Sequence, residues 1–371
     1  MSTSYSCIII GAGIVGAAAA RALAARGKRI LVLDRGMPGG EASGAAAGML
    51  APQIEASTDD PMLTLALTAR DRYPELVAEL DRRTGVNVGY RTGGIVRVAL
   101  DEMEAAALRT QVETQCAMGL QAEWLDRGAL ARRHPGIGPT AAGALLAPRD
   151  GCVNNVTLTA ALLADASRYG AEIADHEEAT GIVIQARRVV AVATAQRHYS
   201  TGAAVVAAGA WSGRLTGLPR QLPVEPVRGQ MASVTWPAGE PVGILFGRHV
   251  YVVPRGDDAL LGSTMERVGF EKDTTPGGLA RIFSETAALL PALGSQGVHR
   301  VWSGLRPMTP DGRPLIGADP EVAGLVYATG HGRNGILLGP LTGEIVRDLV
   351  LDGATPFDIA PCAVTRAMPR P

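Results

Sequence analysis

The N-terminal hydrophobic pattern predicts a strand, a helix and a second strand in close succession. Residues 6–10 form a short apolar run typical of a buried parallel strand, and the glycine-rich turn GAGIVG follows it. An alanine-rich helical segment ends at Gly27, and a second apolar run over residues 29–33 is closed by Asp34. This order of elements is the context in which a GxGxxG turn binds the pyrophosphate of a dinucleotide.

Each glycine of the turn has its own predicted role. Gly11 permits the tight turn, Gly13 lets the backbone approach a pyrophosphate, and Gly16 lets the helix pack against the strand. The helix N-terminus would face the phosphates with its unpaired N–H groups. Asp34 would accept hydrogen bonds from ribose hydroxyls. The pattern therefore predicts a dinucleotide site, but it does not distinguish NAD from FAD.

Further along the chain, helices alternate with short strands and one long antiparallel region. Helical periodicity covers residues 61–84, 101–118, 155–169, 279–293 and about 341–351, strand-like runs cover 92–100, 141–148 and 202–208, and residues 127–139 are loop-rich. From 222 to 265 several β-rich runs follow one another, with Gly256-Asp257-Asp258 predicted as a hairpin turn.

These elements predict an α/β fold, α+β overall, in which a Rossmann-like dinucleotide-binding domain carries an inserted antiparallel-sheet domain for the substrate. We assign the first domain to residues 1–85, 143–221 and 304–360, the second to 86–142 and 222–303, and a tail to 361–371.

Composition excludes several classes of protein. The 371 residues carry 35 basic and 36 acidic side chains, so the chain lacks the basic surface that nucleic acids or anionic membranes require. Hydrophobic residues reach 47%, yet no apolar stretch reaches the roughly 20 residues of a membrane helix. No secretory signal is evident and the four cysteines show no CxxC spacing, so we expect a reducing cytoplasm. The six histidines show no metal-binding spacing, and we expect no metal.

A run of very small residues follows the second strand. Residues 39–50 read GGEASGAAAGML, and such a segment can lie flat against a bulky ring or a chain of phosphates because no side chain holds it away. The alternative is a close helix–helix contact made by the same small residues.

Six motifs together carry a family resemblance. They are GAGIVG (11–16), ASGAAAGML (42–50), VVAAGAWS (205–212), HVYVVPR (249–255), GLRPMTPDGRPLIG (304–317) and ATGHGRNGILLGPLTG (328–343). In this order and spacing they resemble the glycine oxidase branch, of the thiamine-pathway type, in the D-amino-acid oxidase superfamily, over about residues 5–350. The resemblance implies noncovalent FAD, so the Rossmann-like domain would be an FAD-binding domain. It also implies a homotetramer.

The resemblance implies a carboxylate clamp for the substrate. Arg306 matches the arginine that holds the carboxylate, Tyr251 matches the tyrosine that supplements it, and Arg333 matches a second arginine near substrate and flavin. The remaining implied residues are His249 and Met265 in the same pocket and Met49 beside the flavin ring. Strand alternation independently predicts that His249 and Tyr251 share one face.

The implied FAD contacts are mostly backbone groups and small side chains. They are Gly11, Gly13, Ile14, Val15, Gly16, Asp34, Arg35, Ala42, Ser43, Ala47, Gly48, Met49, Ala179, His331, Gly332, Arg333, Asn334, Gly335, Ile336 and Leu337. A helix beginning near Gly339 would direct its N-terminus at the N1–C2=O edge of the flavin. Three positions depart from the family. Asp34 replaces a glutamate, and Gly332 replaces a bulkier residue. Ala42 replaces a hydroxyl residue that often binds phosphate, which leaves that role to Ser43.

The implied reaction is oxidative deamination of glycine, sarcosine and small D-amino acids. Hydride would pass from Cα to flavin N5, and the imine would hydrolyse to an oxo acid and ammonia. The reduced flavin would then pass its electrons to molecular oxygen, which gives hydrogen peroxide. A role in thiamine biosynthesis follows from the same resemblance. Two other interpretations stay open: a D-amino-acid dehydrogenase that passes electrons to a quinone, and a flavin-binding scaffold or sensor without amine turnover.

Overall fold

The predicted strand–helix–strand unit forms the centre of a six-stranded sheet. The computed structural model describes residues 4–55 and 57–366. Its strands are β1 (Cys7–Ile10), β2 (Ile30–Leu33), β3 (Met49–Leu50), β4 (Arg91–Thr92), β5 (Ile95–Ala99), β6 (Glu123–Asp126), β7 (Gly143–Ala147), β8 (Gly151–Cys152), β9 (Glu172–Ala174), β10 (Ala179–Gln185), β11 (Arg188–Thr194), β12 (His198–Ser200), β13 (Ala204–Val206), β14 (Glu225–Thr235), β15 (Ile244–Phe246), β16 (Tyr251–Arg255), β17 (Asp258–Gly262), β18 (Val298–Met308), β19 (Leu315–Ala318) and β20 (Leu325–Thr329). Its α-helices are α1 (Ile14–Ala24), α2 (Ala42–Ala45), α3 (Pro52–Glu55), α4 (Leu63–Asp71), α5 (Tyr73–Thr84), α6 (Glu102–Ala117), α7 (Arg127–Arg133), α8 (Asn155–Arg168), α9 (Pro276–Leu289) and α10 (Gly335–Leu351).

The six-stranded sheet has the order β19-β20-β13-β1-β2-β9 and is parallel except at β19. β1, β2 and β13 are buried along their whole length, which explains their uninterrupted apolar sequences. Helix α10 packs closely on α1 because two glycines of α10 leave room for it. A Cβ at Gly343 would lie 2.5 Å from the carbonyl carbon of Ala18, and one at Gly339 would lie 2.8 Å from Ile14. The starts of both helices are thereby held close together.

An eight-stranded sheet forms the second large layer, in the order β18-β14-β17-β16-β15-β5-β7-β6. Neighbours are antiparallel, apart from the parallel pair β15 and β5. The longest ladder joins β14 to β18 and sets Val227 opposite Arg306. Two three-stranded sheets, β10-β11-β12 and β3-β8-β4, complete the strand arrangement of the described residues. The predicted combination of a Rossmann-like sheet and an antiparallel sheet is confirmed.

The predicted division of the chain disagrees with the strand pairing at two boundaries. We assigned residues from 143 onward to the cofactor domain, but β7 pairs with β5 and β6 inside the eight-stranded sheet. β18 also runs straight across the boundary between 303 and 304. Local sequence pattern identifies such strands but does not reveal which distant strands they pair with, so the assignment failed there.

Several helix predictions also need correction. The single helix predicted over 61–84 is two helices, because Pro74 near the start of α5 has no N–H to continue the ladder from α4. Gly85 ends α5 in the left-handed conformation, at φ 72°. The region 127–139, predicted as loop, contains α7, whose N-terminus is capped by Asp126 accepting from Ala129 N–H at 2.7 Å. Helix α10 begins at Gly335, earlier than predicted, and includes Pro340 in its interior.

The predicted tail is partly packed. Cys362 is fully buried and contacts Met62, and the guanidinium of Arg366 forms an ion pair with Asp311 at 2.7 Å. Residues 367–371 of the predicted tail lie outside the described residues. In the part of the chain that the structure describes, every helix is too short or too polar to cross a lipid bilayer.

Candidate active site

The turn after β1 has the tight geometry that its glycines predict. Gly11 has φ 106°, and a Cβ there would lie 2.4 Å from the carbonyl oxygen of Ala207 on the neighbouring strand connection. A Cβ at Gly16 would lie 1.8 Å from the carbonyl oxygen of Gly11. Both positions therefore exclude any side chain, and the start of α1 is held against the end of β1.

Two polar side chains hold the backbone around this turn. Ser43 Oγ accepts a hydrogen bond from the N–H of Ile14, at the start of α1, at 2.9 Å. The carboxylate of Asp34 accepts from Ala12 N–H at 2.7 Å and from Gly36 N–H at 2.9 Å. Burial raises the pKa of Asp34. Each carboxylate oxygen keeps a lone pair for a further donor, so Asp34 can still accept from a ribose.

A large cavity of about 440 Å³ runs from Asp34 past the turn to the start of α10. The implied cofactor residues that line it are Gly11, Gly13, Ile14, Val15, Asp34, Arg35, Ala42, Ser43, Ala179, His331, Gly332, Arg333, Gly335 and Ile336. Gly16 lies outside this wall, and its part is to let α1 approach β1. An elongated space with a glycine turn, a helix N-terminus and a carboxylate at one end suits a dinucleotide.

The start of α10 forms the far end of the large cavity. The N–H groups of Gly335, Ile336 and Leu337 precede the intrahelical bond from Leu338 N–H to the Asn334 carbonyl, at 2.8 Å. The side chain of Leu337 is buried in the core beside α1 instead of lining a cavity. Gly335, Ile336 and Leu337, implied FAD contacts that the sequence placed before the helix, therefore form its first turn.

The side chain of His331 is anchored to α10 by a hydrogen bond. Its ring Nε2 lies 3.0 Å from the hydroxyl of Thr342 on α10, and the side chain is only 3% exposed. Burial lowers the pKa of His331 to about 4, so the ring is neutral near pH 7. Its structural effect is to tie the segment before α10 to the helix itself.

A smaller cavity of about 80 Å³ adjoins the large one. The two share the walls formed by Ala42, Ala46, Gly332, Arg333 and Ile336. The predicted site residues that line the smaller cavity are Ala42, Ala47, Gly48, Met49, Tyr251, Arg306, Gly332, Arg333, Asn334 and Ile336. The structure thus brings Tyr251, Arg306 and Met49 to one space beside the end of the large cavity.

The guanidinium of Arg306 is held by two residues that directly follow β17. Nη1 donates to the carbonyl of Thr264 at 3.1 Å, and Nη2 donates to Ser263 Oγ at 2.6 Å. A Cβ at Gly229 would lie 2.0 Å from Nη1, so the absence of a side chain there makes the room for the guanidinium. Burial lowers the pKa of Arg306, but an arginine stays charged near pH 7.

The hydroxyl of Tyr251 is available for a stronger partner than the one it has. Tyr251 is 7% exposed, and its hydroxyl donates to the thioether sulfur of Met231 at 3.3 Å, which is a weak acceptor. Gly262 lies opposite Tyr251 on β17, where a Cβ would lie 3.0 Å from the hydroxyl oxygen. An anion in the smaller cavity would therefore be a better acceptor for this hydroxyl.

Arg333 forms an ion pair that the sequence did not reveal. Its Nε lies 3.1 Å from Oε2 of Glu55, with the arginine side chain 42% exposed and the glutamate 14%. Glu55 ends α3, just after the run of small residues, and it lines the smaller cavity. Because the two residues are far apart in the chain and belong to different motifs, spacing alone offers no signal for the pair.

Two predicted pocket residues lie elsewhere. His249 is exposed in the turn between β15 and β16, where Gly247 N–H donates to the Val250 carbonyl at 2.7 Å. β16 starts only at Tyr251, so strand alternation does not extend to His249 and the predicted shared face is wrong. Met265 is 50% exposed and lies outside the walls of both cavities.

The sequence interpretation also missed an aromatic and cationic cluster at the large cavity. The guanidinium of Arg35 lies 4.5 Å from the ring centre of Trp211, and that ring packs 5.4 Å from Phe270. The guanidinium of Arg214 lies 3.6 Å from the ring centre of Phe270. Trp211 lies in the VVAAGAWS motif after β13, and Arg214 lies two residues beyond the motif. Both line the large cavity, so this motif was the sequence feature that could have indicated them.

Comparison with known proteins identifies the family of this fold. A family model described as "FAD dependent oxidoreductase" (DAO) matches residues 6–349. The chain belongs to this DAO family. The predicted family and FAD cofactor are therefore confirmed, the question of NAD or FAD is answered, and the protein is an FAD-dependent amine oxidoreductase. The glycine turn, Asp34 and the start of α10 fit that cofactor in the large cavity.

Two kinds of protein, glycine oxidases and a bifunctional ThiO/ThiG protein, match nearly the full length of this chain. Glycine oxidase of Geobacillus kaustophilus (strain HTA426) is 37% identical over 372 residues, which cover 99% of this chain and 98% of that protein. The crystal structure of glycine oxidase from Geobacillus kaustophilus has a TM-score of 0.94 at 36% identity, covering 99% of this chain and 100% of that one. The bifunctional protein ThiO/ThiG of Trichormus variabilis (strain ATCC 29413 / PCC 7937) is 37% identical over 350 residues, which cover 93% of this chain and 52% of that protein.

Proposed function

We propose that this DAO-family protein oxidises glycine and similarly small amines, such as sarcosine and small D-amino acids. The products would be an oxo acid, hydrogen peroxide and ammonia, with methylamine in place of ammonia when sarcosine is the substrate. The observation that carries the proposal is the presence of Arg306 and Tyr251 together in a small cavity that shares walls with the large one. The glycine oxidase relatives support the substrate.

Arg306 and Tyr251 would bind the substrate carboxylate. The Arg306 guanidinium has five N–H groups, and its two hydrogen bonds within the protein leave donors free while they fix its plane. A planar guanidinium binds a carboxylate with two parallel hydrogen bonds, which orient the bound acid. The Tyr251 hydroxyl would exchange its weak sulfur acceptor for a carboxylate oxygen.

The size of the smaller cavity favours small substrates. A cavity needs about 10–15 Å³ to admit a single water, so a cavity of about 80 Å³ has room for a small molecule. Glycine, sarcosine and alanine are of this size. The thioether of Met231 and the side chain of Met49 form apolar walls of the cavity and restrict water.

The large cavity would hold FAD so that its reactive ring faces the smaller cavity. Bound FAD would supply the acceptor for a hydride from the substrate Cα. Fixing the carboxylate at Arg306 limits the orientations of the neighbouring Cα–H bond, which is the main contribution of positioning to rate. The unpaired N–H groups at the start of α10 would stabilise negative charge on a ring placed there.

The physiological role that we propose is the supply of an oxidised glycine product to thiamine biosynthesis. The ThiO/ThiG relative supports this role, because this chain matches about half of that bifunctional protein. The rate at which oxygen or a soluble quinone reoxidises the reduced flavin distinguishes an oxidase from a dehydrogenase.

Anaerobic mixing of the purified yellow protein with substrate tests the proposal. We expect glycine, sarcosine and D-alanine each to bleach the flavin absorbance, and we expect colour to return rapidly when oxygen is admitted. Rapid bleaching with slow return in oxygen, but fast return with a soluble quinone, would indicate a dehydrogenase instead. A flavin that none of these amines bleaches would show that the amine assignment is wrong.

A further inference from the structure

Helix α10 contains a proline where the hydrogen-bond ladder should continue. Pro340 has no N–H, so it cannot donate to the carbonyl of Ile336, its partner four residues earlier. The structure supplies another donor: the hydroxyl of Tyr73, the first residue of α5, donates to that same carbonyl. The ladder gap left by one residue is therefore filled by a side chain from a different helix.

The surroundings of this hydrogen bond make it hard to replace with water. Tyr73 is 1% exposed and Ile336 is 5% exposed. Burial raises the pKa of Tyr73, so its hydroxyl keeps its proton. The ring is held in place by Tyr90, which stacks on it at 6.2 Å with 19° between the planes. An unpaired carbonyl at this depth would be unfavourable, because position 340 offers no N–H and Ile336 is almost fully buried.

The carbonyl belongs to the turn that faces both cavities. Gly335 and Ile336 line the large cavity, and Asn334 and Ile336 line the smaller one. His331, four residues before Gly335, is tied to Thr342 further along the same helix. The first turn is thus anchored on one side by His331 and on the other by Tyr73.

We propose that Tyr73 is a positioning residue for the flavin: its hydroxyl supplies the hydrogen bond that Pro340 cannot make, and so fixes the first turn of α10 at the cofactor. This inference rests on the proposed placement of the flavin ring beside α10. Without the hydroxyl, the Ile336 carbonyl would seek a donor further along the helix and the first turn would shift. The N–H groups of that turn would then lie less favourably toward a bound ring.

A double-mutant cycle tests this pairing. Tyr73→Phe removes the hydroxyl and keeps the ring, and Pro340→Ala restores the missing N–H. The dissociation constant of FAD is measured by adding FAD to the apoprotein, and the midpoint potential of the bound flavin is measured by dye equilibration. Tyr90→Phe, in the stacked neighbouring ring, is the matched control for loss of a tyrosine hydroxyl.

We expect Tyr73→Phe to weaken FAD binding about tenfold, which corresponds to about 1.4 kcal/mol, and to make the midpoint potential more negative. In the Pro340→Ala background the same substitution should change FAD affinity by less than about twofold, because the backbone N–H of the introduced alanine donates to Ile336 instead. Comparing the two backgrounds removes any general effect of the proline on helix stability. Tyr90→Phe should leave both measurements unchanged.

Two results would overturn the inference. One is a Tyr73→Phe protein whose FAD affinity and potential equal those of the parent. The other is a loss that is the same size in both backgrounds, since the hydroxyl would then act by some other route. If Tyr73→Phe alone fails to fold, recovery of a flavin-bound protein by the added Pro340→Ala change supports the pairing, and failure to recover it counts against it. A parent protein that binds FAD but ignores glycine would contradict the proposed function and leave this cycle intact.

Discussion

The two adjoining cavities are built in different ways. The large cavity is lined by the glycine turn and the start of α10, and three polar side chains there are already engaged: Ser43 with Ile14 N–H, Asp34 with two backbone N–H groups, and His331 with Thr342. In the smaller cavity Arg306 keeps N–H donors beyond its two hydrogen bonds, and the Tyr251 hydroxyl has only a weak sulfur acceptor.

This difference suggests that the large cavity serves to bind the cofactor, whereas the smaller cavity determines which substrate reacts. A backbone site binds phosphates through N–H groups that every residue type except proline carries, so it tolerates many side-chain changes but few changes of glycine. A side-chain site depends on particular charges and on the space around them. Substitutions should therefore affect catalysis most in the smaller cavity and affect it less in the large one.

The largest effect should come from Arg306→Ala. Loss of the charged clamp should lower kcat/KM for glycine about a thousandfold, or about 4 kcal/mol, with most of the change in substrate binding. The protein should stay yellow, because the FAD contacts are elsewhere. Steady-state peroxide production and the flavin spectrum measure the two effects. Arg300→Ala is the matched control, an exposed arginine on the same strand. Normal glycine oxidation by Arg306→Ala would show that the clamp is misassigned.

A smaller but still large effect should come from Gly229→Ala. The new Cβ would occupy the place of Nη1, and the guanidinium, at the end of a flexible side chain, would move aside without unfolding the sheet. A misplacement of about 1 Å can reduce rate about a hundredfold, and we expect a fall of that size in kcat/KM. Thermal stability should change little. Gly277→Ala, at a position with open space around it on α9, is the control. Equal activity of both variants would contradict the close packing described above.

The same difference decides how much could be predicted from the sequence. The turn at Gly11, Gly13 and Gly16 could be predicted because glycines at this spacing mark positions where the backbone leaves no room for a side chain. By contrast, Arg306 and Tyr251 were selected by family resemblance, since nothing in their local pattern distinguishes a clamp from an ordinary strand residue.

Contacts between segments that are distant in the chain could not be predicted from the sequence. The Glu55–Arg333 ion pair and the room that Gly229 leaves for Arg306 depend on which strands and loops meet, and periodicity does not encode this. The early start of α10 was missed for the same reason, because the donor that offsets Pro340 comes from Tyr73 on another helix. His249 was misplaced because a turn interrupts the alternation before β16.

Tyr251→Phe should have a moderate effect. The change removes one hydrogen bond to the substrate carboxylate and leaves the ring and Arg306 in place. A hydrogen bond to a charged group contributes about 1.5–3 kcal/mol, so we expect kcat/KM for glycine to fall at least about tenfold. The dissociation constant of a carboxylate inhibitor such as acetate should rise by a similar factor, measured by its perturbation of the flavin spectrum. If acetate bound equally well to both proteins, the hydroxyl would not contact the carboxylate.

The smallest effect should come from Ser43→Ala in the large cavity. Ser43 Oγ is bonded to the N–H of Ile14, and loss of such a capping bond typically destabilises a protein by about 1 kcal/mol. We therefore expect a lower melting temperature for the apoprotein. FAD affinity should fall less than about fivefold, because a phosphate can accept from the freed Ile14 N–H, and kcat at saturating FAD should be unchanged. Titration of apoprotein with FAD and a thermal melt measure these values. A hundredfold loss of FAD affinity would mean that Ser43 itself binds the cofactor, and that the large cavity relies on side chains as much as the smaller one does.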